Sequence, residues 1–186
     1  MNNSDFNPLQ LKVEAFAKSG QLLAGEWSLT SLTRLLESTH SQQALEANPN
    51  VSWQIRGESL ATRSGAFEIW LHATADATLS LTCQRCLQGL TTQVSAARSF
   101  RFVHGETAAA ESDAQSEEDV LALTKHLDVR ELIEDELLLE LPLVPRHEVC
   151  AQPLLERDMG HDIGAEVVRE NPFAALAQLK PGKLLS

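Results

Sequence analysis

At 186 residues with 43% apolar side chains, the chain suits one domain with a tail and can bury a core. No run of about 18 apolar residues occurs, which excludes a membrane-spanning helix, and a formal net charge of −11 disfavours bulk attraction to nucleic acid. The start Met1-Asn2-Asn3-Ser4-Asp5 predicts no secretory leader, and an odd count of three cysteines suits a reduced, cytoplasmic setting better than a disulfide framework.

In chain order, Leu9-Gln10-Leu11-Lys12-Val13 alternates as a strand does and leads to a Ser19-Gly20 turn. Leu29, Leu32, Leu35 and Leu36 recur at helical spacing behind Ser28, a fitting N-cap, and predict a short N-terminal helix. Asn48-Pro49-Asn50 marks a turn. Val51, Trp53 and Ile55 then alternate with polar neighbours, as do Phe67, Ile69 and Leu71, and the period of two continues from Thr78 to Cys83. A further strand is expected from about Thr91 to Val103. Trp53 and Trp70 read as packing residues rather than as stacking platforms for a ligand.

Residues 105–119 hold acids and small polar side chains without one base, and predict a flexible acidic loop. The clearest helix spans 128–139. Asp128 is placed as its N-cap, Glu131 stands three residues on, and Leu127 and Leu132 form a staple across the start. Leu132, Ile133 and Leu137 make its inward stripe, while Glu131, Glu134 and Asp135 are expected to face water or a partner. Leu138, Leu139 and Leu141 predict a far end buried on several sides, closed by Pro142 and Pro145. From Val149 to Glu170 little periodicity remains. Asn171-Pro172-Phe173 opens a last helix near 172–180, with Phe173, Leu176 and Leu179 as its docking face. The expectation is an α+β fold: an antiparallel β-meander packed against one principal helix, with a short N-terminal and a C-terminal helix. Residues 1–150 would form a single domain and 151–186 an extended tail.

All three cysteines fall in two places, Cys83-Gln84-Arg85-Cys86 and Cys150. A Cys-x2-Cys pair at a hairpin tip is half of a zinc knuckle, and His147 with Cys150 can supply the other half. Four protein ligands leave no open position, so such a zinc site is structural. Reduced thiols packed under the hairpin, or a redox dithiol, remain alternatives. The dithiol fits less well, because that motif opens a helix and Gly89-Leu90-Thr91-Thr92 reads as β-structure.

Charge is divided unevenly. Residues 1–104 carry eight acids and eight bases, whereas 105–170 carry eighteen acids and five bases. Such a lobe attracts cationic partners and repels phosphate; the plain alternative is a solvated face that keeps the protein soluble. Glu131, Glu134 and Asp135 are the candidate partner-binding carboxylates. Arg85, Arg98 and Arg101, in the neutral half, are the candidate contacts to RNA.

The cysteine hairpin, the helix Asp128-Val129-Arg130-Glu131-Leu132-Ile133-Glu134-Asp135-Glu136 running into Leu141-Pro142-Leu143-Val144-Pro145, and the ending Asn171-Pro172-Phe173-Ala174-Ala175-Leu176-Ala177-Gln178-Leu179-Lys180 occur in that order. Together they resemble the YceD family, the large ribosomal RNA subunit accumulation proteins, over about residues 8–182. The resemblance implies a cytoplasmic factor needed for synthesis, processing or stability of 23S rRNA, with no catalytic residue to carry over. Many relatives place a second cysteine pair where this chain has His147 and Cys150. Three functions follow as expectations. The first is a non-enzymatic factor contacting a basic ribosomal protein or the large-subunit precursor. The second is direct binding of rRNA through Arg85, Arg98 and Arg101. The third is a metal-dependent RNA-processing enzyme, disfavoured because a closed site holds no water.

Overall fold

The computed structural model describes residues 6–40, 49–62 and 65–150. In chain order these form α1 (Val13–Ser19), β1 (Leu22–Ser28), α2 (Thr33–Glu37), β2 (Asn50–Ala61), β3 (Phe67–Thr82), β4 (Gly89–Val103), α3 (Glu106–Asp113), β5 (Asp119–Ala122) and α4 (Val129–Leu139). The expected C-terminal helix near 172–180 lies outside the described residues. The two compact units of the chain divide after Ala151, so residues 1–151 form the body described below.

The fold is α+β, as the alternating strands and the Asp128-capped helix predict. Five described strands lie in the order β1-β2-β3-β4-β5. The first four are an antiparallel meander. The fifth departs from expectation: β5 runs parallel to β4, from Phe100 beside Asp119 to Val103 beside Ala122. A parallel neighbour requires a crossover rather than a tight turn, and α3 is that crossover. The region expected as a flexible loop at 105–119 is therefore a helix and the start of a strand. Ala109 is its one buried helical residue, so composition had little to distinguish it from loop.

Strand periodicity divides the sheet into two faces. On β3, Ile69, Leu71, Ala73, Ala75, Ala77, Leu79 and Leu81 all point into the core. Alanines stand opposite large neighbours, Ala75 beside Trp53 and Ala73 beside Ile55, which leaves room for the rings and the helices above them. Trp53 is 7% exposed and stacks on Trp27 with centroids 4.4 Å apart, so its role is packing. Trp70 lies on the other face, away from α1, α2 and α4, beside His72, which bonds Glu58 at 2.9 Å and Ser99 at 2.8 Å.

Helices α1, α2 and α4 cover the core face with Phe16, Leu35, Ile133 and Leu137, each buried. The segment Leu9 to Val13 is not the expected strand. Asn7 caps the Leu9 N–H at 3.0 Å, Pro8 opens a 3-10 turn, and Leu11 makes one bridge to Leu127 before α1 begins. Five alternating residues are too few to outweigh a cap and a proline-initiated turn. Helix α1 then lies so close to β2 that a Cβ on Gly57 would sit 2.7 Å from the Phe16 carbonyl oxygen. Glycine is required there for the approach itself.

Ser28 accepts the Thr30 N–H and starts a 3-10 turn that runs into α2, matching the predicted short helix. Asp128 caps α4 as expected, its Oδ1 accepting from Arg130 N at 2.9 Å and Glu131 N at 3.3 Å. The far end of α4 is a correction: Leu139 is 72% exposed, because the chain leaves the sheet there and no described element covers that side.

Candidate functional site

The β3–β4 hairpin is closed by Cys83 to Gln88. Cys83 N donates to Gln88 O and Leu87 N to Cys83 O, both at 2.9 Å, with Leu87 held at φ +60°. The strap following α4 returns to this tip. Gln84 N donates to the Pro145 carbonyl at 2.9 Å, which delivers His147 and Cys150 to the hairpin. The four predicted ligands are therefore brought together: their ligating atoms lie within 4.8 Å of one another.

The spacing suits a tetrahedral ion. Bonds of 2.3 Å to sulfur place two sulfurs about 3.8 Å apart, and a nitrogen ligand about 3.5 Å from a sulfur. Cys83 Sγ and Cys150 Sγ are 3.8 Å apart, and Cys86 Sγ and His147 Nδ1 are 3.4 Å apart. The opposite ring nitrogen of His147, Nε2, lies 3.1 Å from the Gly89 carbonyl. A carbonyl can only accept, so Nε2 carries the proton and Nδ1 presents its lone pair to the cluster.

The electrostatics also suit a cation. Burial pushes the Cys83 thiol up, but backbone N–H groups of His147, Arg85 and Cys86 prevail and bring it down to about 5. The Gln88 N–H favours the Cys86 thiolate, yet burial and the adjoining Cys150 and Cys83 leave its pKa above the ordinary value. One thiolate forms readily and the next is opposed by its neighbours, a cost that a bound cation removes. These residues can hold a metal ion, and the donor set of three sulfurs and one nitrogen fits.

The other candidate residues are scattered. Glu134, expected to face water, is 5% exposed. Its Oε2 accepts from Arg34 Nε at 3.2 Å and from a terminal guanidinium nitrogen at 3.0 Å, while Oε1 accepts from Leu35 N at 3.1 Å. It thereby caps α2, whose own N-cap, Leu32, has no polar side chain. Asp135 pairs with the same Arg34. Only Glu131 of the three is exposed without an ion pair among the described residues. The arginines do not form one patch. Arg98 lies on the core face of β4 and pairs with Glu136 at 3.2 Å and Glu140 at 3.3 Å. Arg101, three residues on, has the opposite parity and lies on the other face of the sheet, beside Trp70 and Val120. Arg85 is at the hairpin tip, where its Nε lies 2.9 Å from Cys150 Sγ.

Exposed acids are concentrated in sequence over α3, β5 and the link between them. Glu106, Glu111, Asp113, Glu117, Glu118 and Asp119 are all exposed there. No base occurs from 105 to 124, and none of the six joins an ion pair among the described residues. Glu111 and Asp113 even occupy the C-terminal end of α3, where the helix dipole disfavours acids. The composition of 105–119 signalled this charge; its presentation on a helix and a parallel strand was not visible.

The described residues thus form an α+β body with a cluster of three cysteines and one histidine able to hold a metal ion, and an exposed acidic segment over 106–119. The family model described as large ribosomal RNA subunit accumulation protein YceD matches residues 71–180, more than half of the chain. The protein belongs to the YceD family, whose name ties it to accumulation of large-subunit rRNA. No solved structure matches the chain. No described helix is long and apolar enough to cross a membrane.

Proposed function

We propose that this protein is a non-enzymatic, cytoplasmic factor in large-subunit biogenesis that uses its α3–β5 edge to hold a cationic protein surface. The partner is a basic ribosomal protein or a basic region of the assembling large subunit, and stability of 23S rRNA follows because assembled RNA is protected from degradation. The observation that carries this reading is the run of six exposed carboxylates over α3, β5 and the link between them, none of which pairs with a base among the described residues. Such a surface repels phosphate and attracts lysine- and arginine-rich protein. A structural zinc ion at Cys83, Cys86, His147 and Cys150 belongs to the same reading. It joins the strap after α4 to the hairpin, and four protein ligands leave no position for a reacting water.

Incubating the full chain separately with large-subunit ribosomal proteins and with rRNA, at low and high salt, tests the proposal. Salt-sensitive recovery of basic protein is expected. Replacing Glu111, Asp113, Glu117 and Glu118 by their amides should abolish it. Recovery of RNA alone, insensitive to salt and to those substitutions, overturns it.

A further inference from the structure

We infer that Arg85 is a positioning residue of the metal centre, holding Cys150 in the ligand set and damping the reactivity of its sulfur. The inference rests on the metal-binding reading of the four-residue cluster. Arg85 stands between the two hairpin cysteines, but its side chain reaches across to the strap. Its Nε donates to Cys150 Sγ at 2.9 Å, and one terminal nitrogen donates to the carbonyls of His147 at 3.3 Å and Glu148 at 3.4 Å. One planar guanidinium thus grips both strap ligands, with a fork geometry that an ammonium lacks.

Charge points the same way. Three thiolates and a neutral imidazole around a divalent cation carry one net negative charge, and Arg85 brings the matching positive charge to the sulfur least enclosed by the fold. Cys83 is wholly buried and Cys86 nearly so, whereas Cys150 is half-buried. The most accessible sulfur therefore receives the cationic donor. A hydrogen bond from a cation to a metal-bound thiolate fixes the sulfur in place and offsets the site's net negative charge, and by drawing electron density from the sulfur it weakens it as a nucleophile.

The test uses the full chain, Arg85→Gln and Arg85→Lys, loaded with cobalt(II) and then titrated with zinc. Arg85→Gln should weaken zinc binding by about 10–100-fold, the usual effect of losing an outer-shell partner. The sulfur-to-cobalt charge-transfer band should move to lower energy. In the zinc-loaded protein Cys150 should be alkylated by iodoacetamide faster than Cys83 or Cys86, and faster than in the wild type. Arg85→Lys should recover part of the affinity and protection, because charge returns without the fork. If Arg85→Gln does not fold, Arg85→Lys carries the test, with a smaller band shift and a smaller rise in Cys150 alkylation expected. Unchanged affinity, band energy and alkylation in a folded variant overturn the inference while leaving the metal site intact. A wild-type chain that takes up neither cobalt nor zinc overturns both.

Discussion

Helix α4 and the α3–β5 segment are both acidic in sequence, yet they spend their charge in opposite ways. On α4, Glu134 and Glu136 turn inward and meet Arg34 and Arg98, each delivered by a distant element. On α3, β5 and their link the carboxylates are exposed, and none pairs with a base among the described residues. An acid run is therefore not one kind of feature. Where the fold brings a base to it, the run is structural; where it does not, the charge remains available to another molecule.

The contrast is sharpest at Glu134. Glu134→Ala removes the cap of α2, leaves the Leu35 N–H without its acceptor and leaves Arg34 with Asp135 alone, at an expected cost of about 2–3 kcal/mol in urea unfolding. Arg34→Ala should cost less, since that side chain is half exposed. A double variant losing no more than Glu134→Ala alone would show that the two act as one unit. A loss below about 0.5 kcal/mol for Glu134→Ala would place α4 beside α3 as mere surface.

Glu136 supplies a smaller, pH-limited effect. Burial raises its pKa above the ordinary 4.5, with Arg98 opposing and Asp119 and Asp135 adding to the rise. A carboxyl whose folded pKa lies above its unfolded value binds more protons in the native state. Its contribution to stability accordingly grows as pH falls through the folded pKa towards 4.5, and weakens as pH rises through that window. Glu136→Gln lacks this dependence. The wild type should gain on the variant as pH falls through the window, measured by unfolding at several pH values; parallel curves would contradict the burial of Glu136 as a titrating group.

The smallest effect on stability is expected at the α3–β5 edge. Glu117→Gln with Glu118→Gln should stay within about 0.5 kcal/mol of the wild type, and the sign should favour the variant because like charges are removed. Destabilisation by more than about 1 kcal/mol would mean that these acids hold the fold, and the comparison between the two regions would fail.

Much of this was legible before any tertiary information. The period of two in β2, β3 and β4, the Asp128 cap of α4 and the Cys-x2-Cys turn each depend on residues a few positions apart, so local chemistry suffices to specify them. The Cys83, Cys86, His147 and Cys150 cluster was legible because two short motifs each held two residues able to ligate a metal. Helix α3 was not, since its single buried residue, Ala109, leaves no apolar stripe. The parallel register of β5 was equally hidden in four residues. The strand expected over Leu9 to Val13 failed because Asn7 and Pro8 impose a turn that outweighs a brief alternation.

The sequence by itself determined the strand periods, the principal helix, the paired ligand motifs and the excess of acid after residue 104. The tertiary structure alone decided which carboxylates are occupied. It paired Glu134 with Arg34 across 100 positions and Arg98 with Glu136 across 38, and it set Arg85 on Cys150 rather than on an outward face. Periodicity reports which side of an element is apolar, but a charge finds its partner through space. Only the packed sheet and its helices determine which charges are brought within reach.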